Sequence, residues 1–209
     1  TDVNNATLLT NDVYEVSDFT IGSGGTVGGT GEIIGAERRD TNFGNGATMA
    51  PGGTGEYGDE VGTLRWSCFD DNPGPYVVSL NNGSTLAIDF LDAAADQVLF
   101  IGDMDTQLAI DSGATLSLAG SSSSAQTYTI VGHEGSGDFN LEGAFGSYML
   151  NGSPVDPATD PLFDVAYNYN NDSIAVTIVP EPTAGALLGL AASVALIRRR
   201  ASHRLCPRS

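Results

Sequence analysis

The stretch Asn81-Asn82-Gly83-Ser84-Thr85-Leu86-Ala87-Ile88-Asp89-Phe90 decides how this chain is read. Two asparagines and a glycine make a tight corner, because these residues accept a positive φ at little cost. Beyond the corner, Leu86, Ile88 and Phe90 alternate with Thr85, Ala87 and Asp89. A period of two sends the apolar side chains to one face of a strand and the others to the opposite face. The opening of this unit recurs as Gly24-Gly25-Thr26-Val27, Gly46-Ala47-Thr48-Met49 and Gly113-Ala114-Thr115-Leu116. The first glycines of the four copies are 22, 37 and 30 residues apart, a spacing found in stacked arrays.

Each copy predicts a corner at glycine, a threonine facing outward and an aliphatic side chain buried against the same position of the next rung. No rung could bury its apolar face alone, whereas stacked rungs share one core. The fold expected for residues 1–179 is therefore all-β, an irregular single-stranded parallel β-helix (a solenoid) of about six to eight coils. An antiparallel sandwich or jelly roll would use similar short strands and is the alternative. Further alternating segments are centred on Leu108 and Ile110, on Leu116 and Leu118, and on Ile174, Val176 and Ile178. The pairs Asn82-Gly83 and Ser112-Gly113 predict positive-φ turns, and residues 91–97 (LDAAADQ) predict a loop, with one helical turn as the alternative.

Composition narrows the function. The 209 residues include 27 glycines and 26 acidic residues against eight basic ones, all of them arginine. A net charge of −18 without lysine argues against a main body that binds nucleic acid or anionic lipid. Hydrophobic residues, at 41%, suffice for a core and argue against general disorder. Two cysteines cannot build a disulfide scaffold.

The charge is unevenly placed. Residues 1–179 hold 25 acids and three arginines, Arg38, Arg39 and Arg65, for a net −22. Residues 180–209 hold one acid and five arginines, for a net +4. Between the two regimes runs TAGALLGLAASVALI (183–197), without a charge, bounded by Pro180-Glu181-Pro182 before it and Arg198-Arg199-Arg200 after it. The prolines end any strand or helix that precedes them. Fifteen residues, mostly Ala, Leu and Gly, would make a helix of roughly 22 Å, short for a ~30 Å hydrocarbon core. Snorkelling arginines extend its reach and hold that end on the cytoplasmic side. Cys206 lies beyond this run and Cys68 before it, so no bridge between them is expected.

Motif, short apolar helix and arginine cluster together resemble the PEP-CTERM protein-sorting signal of exopolysaccharide-producing bacteria. The resemblance implies three parts: a body over 1–179, a sorting signal over 180–200 and a basic tail over 201–209. It implies that Pro180, Glu181 and Pro182 are recognised by an exosortase-type membrane protease, and that Arg198, Arg199 and Arg200 orient the helix. It further implies removal of the tail after export and a cell-surface or extracellular destination, with an extracellular polysaccharide as a possible partner. Two departures stand out. ASHRLCPRS follows the arginines, and Thr1-Asp2-Val3 is no signal-peptide start, so the chain reads as mature or as a fragment. The body stretches GTVGGTGEIIG, GATMAPGG, STLAIDF, ADQVLFIGD, TLSLAG and DSIAVTIVPEP look like the passenger-type β-helical repeats of autotransporter-associated and PEP-CTERM surface proteins.

Candidate chemistry is sparse. His133-Glu134 lacks the second histidine of a helical zinc-protease motif, since position 137 is glycine; a solvated loop is expected. Asp103-Met104-Asp105 begins like a calcium loop, but Leu108 stands where the sharp turn needs glycine. Asp70-Asp71-Asn72-Pro73-Gly74 has the composition of a plain turn. Carboxylates abound, but no pair can be singled out for glycoside hydrolysis. Tyr148, Tyr167 and Tyr169, with the lone Trp66, could form a sugar-stacking face, although core packing is the commoner use of such a pattern. No catalytic residue, cofactor or metal is predicted. The expected function is that of an exported, non-enzymatic structural protein, with a carbohydrate-binding or adhesive module as the alternative and a polysaccharide-active enzyme behind it.

Overall fold

The computed structural model describes residues 2–16, 19–36, 40–52, 61–69, 76–102, 105–169 and 172–180. Within them the chain is all-β, with no helix. The first pass consists of β1 (Asp2–Val3), β2 (Thr7–Leu9) and β3 (Val13–Val16), the second of β4 (Phe19–Ile21), β5 (Thr26–Gly29) and β6 (Glu32–Ala36). The third is β7 (Thr41–Phe43), β8 (Thr48–Pro51) and β9 (Thr63–Phe69). The fourth is β10 (Tyr76–Leu80), β11 (Thr85–Leu91), the short β12 (Ala94–Ala95) and β13 (Gln97–Ile101). The fifth is β14 (Thr106–Ile110), β15 (Thr115–Ser121) and β16 (Gln126–Glu134). β17 (Phe139–Gly143) and β18 (Ser147–Leu150) begin a sixth, and β19 (Ser153–Val155), β20 (Phe163–Asn168) and β21 (Ser173–Ile178) end the body.

Each pass lays one strand in each of three sheets. The first sheet runs β1-β4-β7-β10-β14-β17, the second β2-β5-β8-β11-β15-β18-β19 and the third β3-β6-β9-β13-β16-β21-β20. Neighbours within a sheet are parallel until the last strands. This is a solenoid-like arrangement, and it excludes the antiparallel sandwich. Five complete passes and part of a sixth stand against the expected six to eight.

The register explains the repeat. Thr7, Thr26, Thr48, Thr85, Thr115 and Ser147 pair in succession along the second sheet. One residue on, Leu8, Val27, Met49, Leu86, Leu116 and Tyr148 form the inward ladder, of which Val27, Met49, Leu86 and Leu116 are fully buried. Each such side chain contributes about 1.5–3 kcal/mol by leaving water. A second inward ladder, Val3, Ile21, Phe43, Leu80 and Ile110, lines the first sheet. The copies diverge in sequence yet occupy one environment, because each rung meets the same neighbours above and below.

Corners stack as well. The N–H of Gly24 donates to the carbonyl of Gly46, Gly46 to Gly83, and Gly83 to Gly113, at 2.9–3.0 Å. Gly24, Gly46 and Gly83 have φ of 70°, 75° and 79°; in the first pass Asn5 has φ 47° and donates its N–H to the Ser23 carbonyl at 3.1 Å. Gly113 departs from expectation, since it is not among the positive-φ residues. There the Asp111 carboxylate accepts the Gly113 N–H at 2.8 Å instead, and a side chain at Gly113 would collide with Asn82 Oδ1.

Two further expectations are corrected. Residues 91–97 are neither an open loop nor a helical turn: Asp92 sits at φ 48° and β12 folds back antiparallel on β11. The closing stretch around Ile174, Val176 and Ile178 is not a further parallel rung. β21 pairs antiparallel with β16, and β20 antiparallel with β21. β18 and β19 likewise form an antiparallel hairpin across Asn151-Gly152, with φ 50° and 76°, the two-residue turn that matches strand twist. These hairpins end two of the three parallel stacks. The expected hydrophobic helix over 183–197 lies outside the described residues, and among the described ones no helix is long and apolar enough to cross a membrane.

Candidate functional site

Three places were singled out by sequence: the sorting motif, the tyrosines and the scattered acid or histidine pairs. Of the motif, only Pro180 is described. Strand β21 ends at Ile178, and the Val179 N–H is tied to the Leu162 carbonyl at 2.8 Å. Pro180, which has no N–H, follows at once, so strand pairing ends where the motif begins. Glu181, Pro182, Arg198, Arg199 and Arg200 lie outside the described residues, as do Arg38, Arg39, Asp70, Asp71, Asp103 and Cys206.

The three tyrosines do come together, at the end of the body where β17 leads into β18. Tyr148 donates to the Phe145 carbonyl at 2.9 Å, and the Phe145 N–H donates to the Tyr167 hydroxyl at 3.0 Å. The two hydroxyls are 3.1 Å apart. Because Tyr148 uses its one proton on Phe145, Tyr167 is the donor between them. Burial, with the Tyr148 hydroxyl beside it, pushes the Tyr167 phenol up from its ordinary value, so it stays protonated. Tyr169 stacks on Tyr167 with ring centroids 6.2 Å apart and planes 16° from parallel, and its hydroxyl donates to the Gly143 carbonyl at 3.1 Å. Tyr148 and Tyr167 are partly buried against the core, whereas Tyr169 is 53% exposed.

Trp66 does not join them. It is 1% exposed, with ring centroids 6.4 Å from Phe19 and 6.1 Å from Phe43. It continues the inward ladder Tyr14, Ile33, Trp66, Phe100 of the third sheet. Residue 133 extends that same ladder, paired with Phe100. His133 is therefore not in a solvated loop: its ring stacks on Phe139 at 5.5 Å, and its Nε2 is buried without a hydrogen-bond partner.

Sequence reasoning missed Asp96. The β12 hairpin carries it inward to 1% exposure, where its carboxylate accepts the Gly62 N–H at 2.8 Å and the Asp89 N–H at 2.9 Å. Burial outweighs those two bonds and pushes its pKa up to about 7, with the charge of Asp89 adding to the rise. Both oxygens face backbone donors, so the group acts as a clasp between β11 and the segment entering β9. An acidic residue closing a small apolar turn, Ala93-Ala94-Ala95-Asp96, was the available signal. Among the described residues no group of three or more His, Cys, Asp or Glu could hold a metal. Asp105 accepts a weak bond from the Asp138 N–H at 3.3 Å.

No family model, curated protein or solved structure matches this chain.

Proposed function

We propose that this protein is an exported, non-enzymatic structural component of a cell surface or extracellular matrix, sorted by its C-terminal segment. The observation that carries the reading is the succession at the end of the body. The last strand stops at Ile178, and Pro180-Glu181-Pro182, a charge-free run and three arginines follow within twenty-two residues. A glutamate bounded by two prolines, directly after the last strand in sequence, suits recognition by a membrane protease of the exosortase type. The body is an irregular single-stranded parallel β-helix, the run 183–197 is its one helix, and together they act as passenger and address.

Charge supports the reading. A body at −22 stays soluble and spaced from like-charged neighbours, and it has no attraction to anionic lipid except through its arginine tail.

Expression of wild type and Glu181→Ala in an exosortase-bearing host, followed by mass spectrometry of cell and medium fractions, tests this. Wild type is expected outside the cell with its C-terminal run removed, and Glu181→Ala as an uncleaved, membrane-held chain. Equal processing of both, or intact wild type in the cytosol, overturns the proposal.

A further inference from the structure

We propose that the ring of Tyr169, braced on Tyr167, is a stacking platform for the apolar C–H face of an uncharged pyranose in a polysaccharide. This does not depend on the sorting proposal, since it concerns the surface of the folded body alone.

Exposure is the first ground. Only Val13, Leu91 and Tyr169 are strongly exposed large apolar side chains among the described residues, at 58%, 61% and 53%. Tyr169 alone offers a flat ring. Fixation is the second. An exposed tyrosine ordinarily samples several rotamers, but here the hydroxyl is tethered to the Gly143 carbonyl and the ring lies nearly parallel to Tyr167. Tyr167 is held in turn by the Phe145 N–H and the Tyr148 hydroxyl. The two rings thus lie side by side with nearly parallel planes, and the orientation of Tyr169 is set before any ligand arrives. A pre-set ring loses little conformational entropy on binding. The ring supplies dispersion and a polarised face to sugar C–H groups while its hydroxyl edge stays wet.

Charge selects among sugars. The same end of the body carries exposed Glu142, next to the tether at Gly143, and Asp172 follows Tyr169 by three residues in sequence. The body holds no lysine and is strongly acidic. A uronate chain would meet repulsion there, whereas an uncharged glucan or mannan would not.

Affinity electrophoresis of the full 209-residue chain is the test, in native gels cast with hydroxyethylcellulose, laminarin, dextran or galactomannan, and with alginate as the charged control. Wild type is expected to be retarded by at least one uncharged polysaccharide and not by alginate. Tyr169→Ala should weaken that retardation roughly fivefold, while Tyr169→Phe, which keeps the ring but loses its tether to Gly143, should fall between wild type and Tyr169→Ala. Because Tyr169 is exposed, both variants are expected to keep the wild-type unfolding midpoint. Absence of retardation in every uncharged gel, equal migration of Tyr169→Ala and wild type, or stronger retardation by alginate overturns the proposal.

Discussion

The indole N–H of Trp66 donates to the hydroxyl of Tyr76 at 2.9 Å, inside a core where both side chains are 1% exposed. The same hydroxyl is bonded to that of Thr41, itself fully buried. Two successive passes, the third through Thr41 and Trp66 and the fourth through Tyr76, thus meet at one polar point within an apolar stack, and each polar group there is satisfied by another.

Removing the shared hydroxyl leaves two buried groups without that partner, which costs about 1–3 kcal/mol. Tyr76→Phe is expected to lower stability by that amount, read as a drop in the urea midpoint with unchanged slope. A change within about 0.5 kcal/mol, the range of an ordinary surface substitution, would show that the hydroxyl contributes nothing there.

Gly83 tests the corner ladder. Its φ of 79° and an added Cβ only 2.2 Å from Asn45 Oδ1 leave no room for a side chain. Gly83→Ala should destabilise by about 1–2 kcal/mol from the left-handed conformation alone. Thr85→Val, two residues on but on the half-exposed outer ladder, should stay within about 0.5 kcal/mol. Equal midpoints for the two variants in equilibrium unfolding would contradict a corner that requires glycine.

Asp96 imposes a pH dependence whose sign follows from its burial. Its folded pKa of about 7 lies above the ordinary 3.8, so the folded state binds more protons than the unfolded chain between those values. The contribution of this carboxyl is full below about pH 4 and is lost as pH rises towards 7, with a slope approaching about 1.4 kcal/mol for each pH unit. Asp96→Asn cannot titrate. The stability of wild type relative to Asp96→Asn should therefore fall between about pH 4.5 and 7.5 and level off above it. Thermal unfolding across that range measures it, and a flat or rising difference would refute the assignment.

The solenoid was legible because its signal is local. Gly83-Ser84-Thr85-Leu86 holds the corner, the outward hydroxyl and the inward aliphatic within four residues, and its copies lie one above another in register. The copies led by Ala6-Thr7-Leu8 and Gly146-Ser147-Tyr148 belong to the same ladder but lack the glycine–threonine pair that marks the others. Asn151-Gly152 was not legible as a hairpin, because Asn45-Gly46 and Asn82-Gly83 carry the same dipeptide at corners of parallel rungs. The tyrosine cluster was half legible: the alternation of Tyr167 and Tyr169 puts them on one side, but nothing nearby in sequence tells that Tyr148 joins them and Trp66 does not.

By itself the sequence determined the all-β class, the rung unit and the reversal of charge at residue 180, because each depends on residues adjacent in the chain. The tertiary structure alone decided how the stack ends, which places Ile174, Val176 and Ile178 antiparallel on β16, His133 in the core ladder and Asp96 in its clasp. Within the stack every rung meets a copy of itself, so a local pattern suffices. At its end no copy follows, and the exposed edge is satisfied by whichever distant segment reaches it.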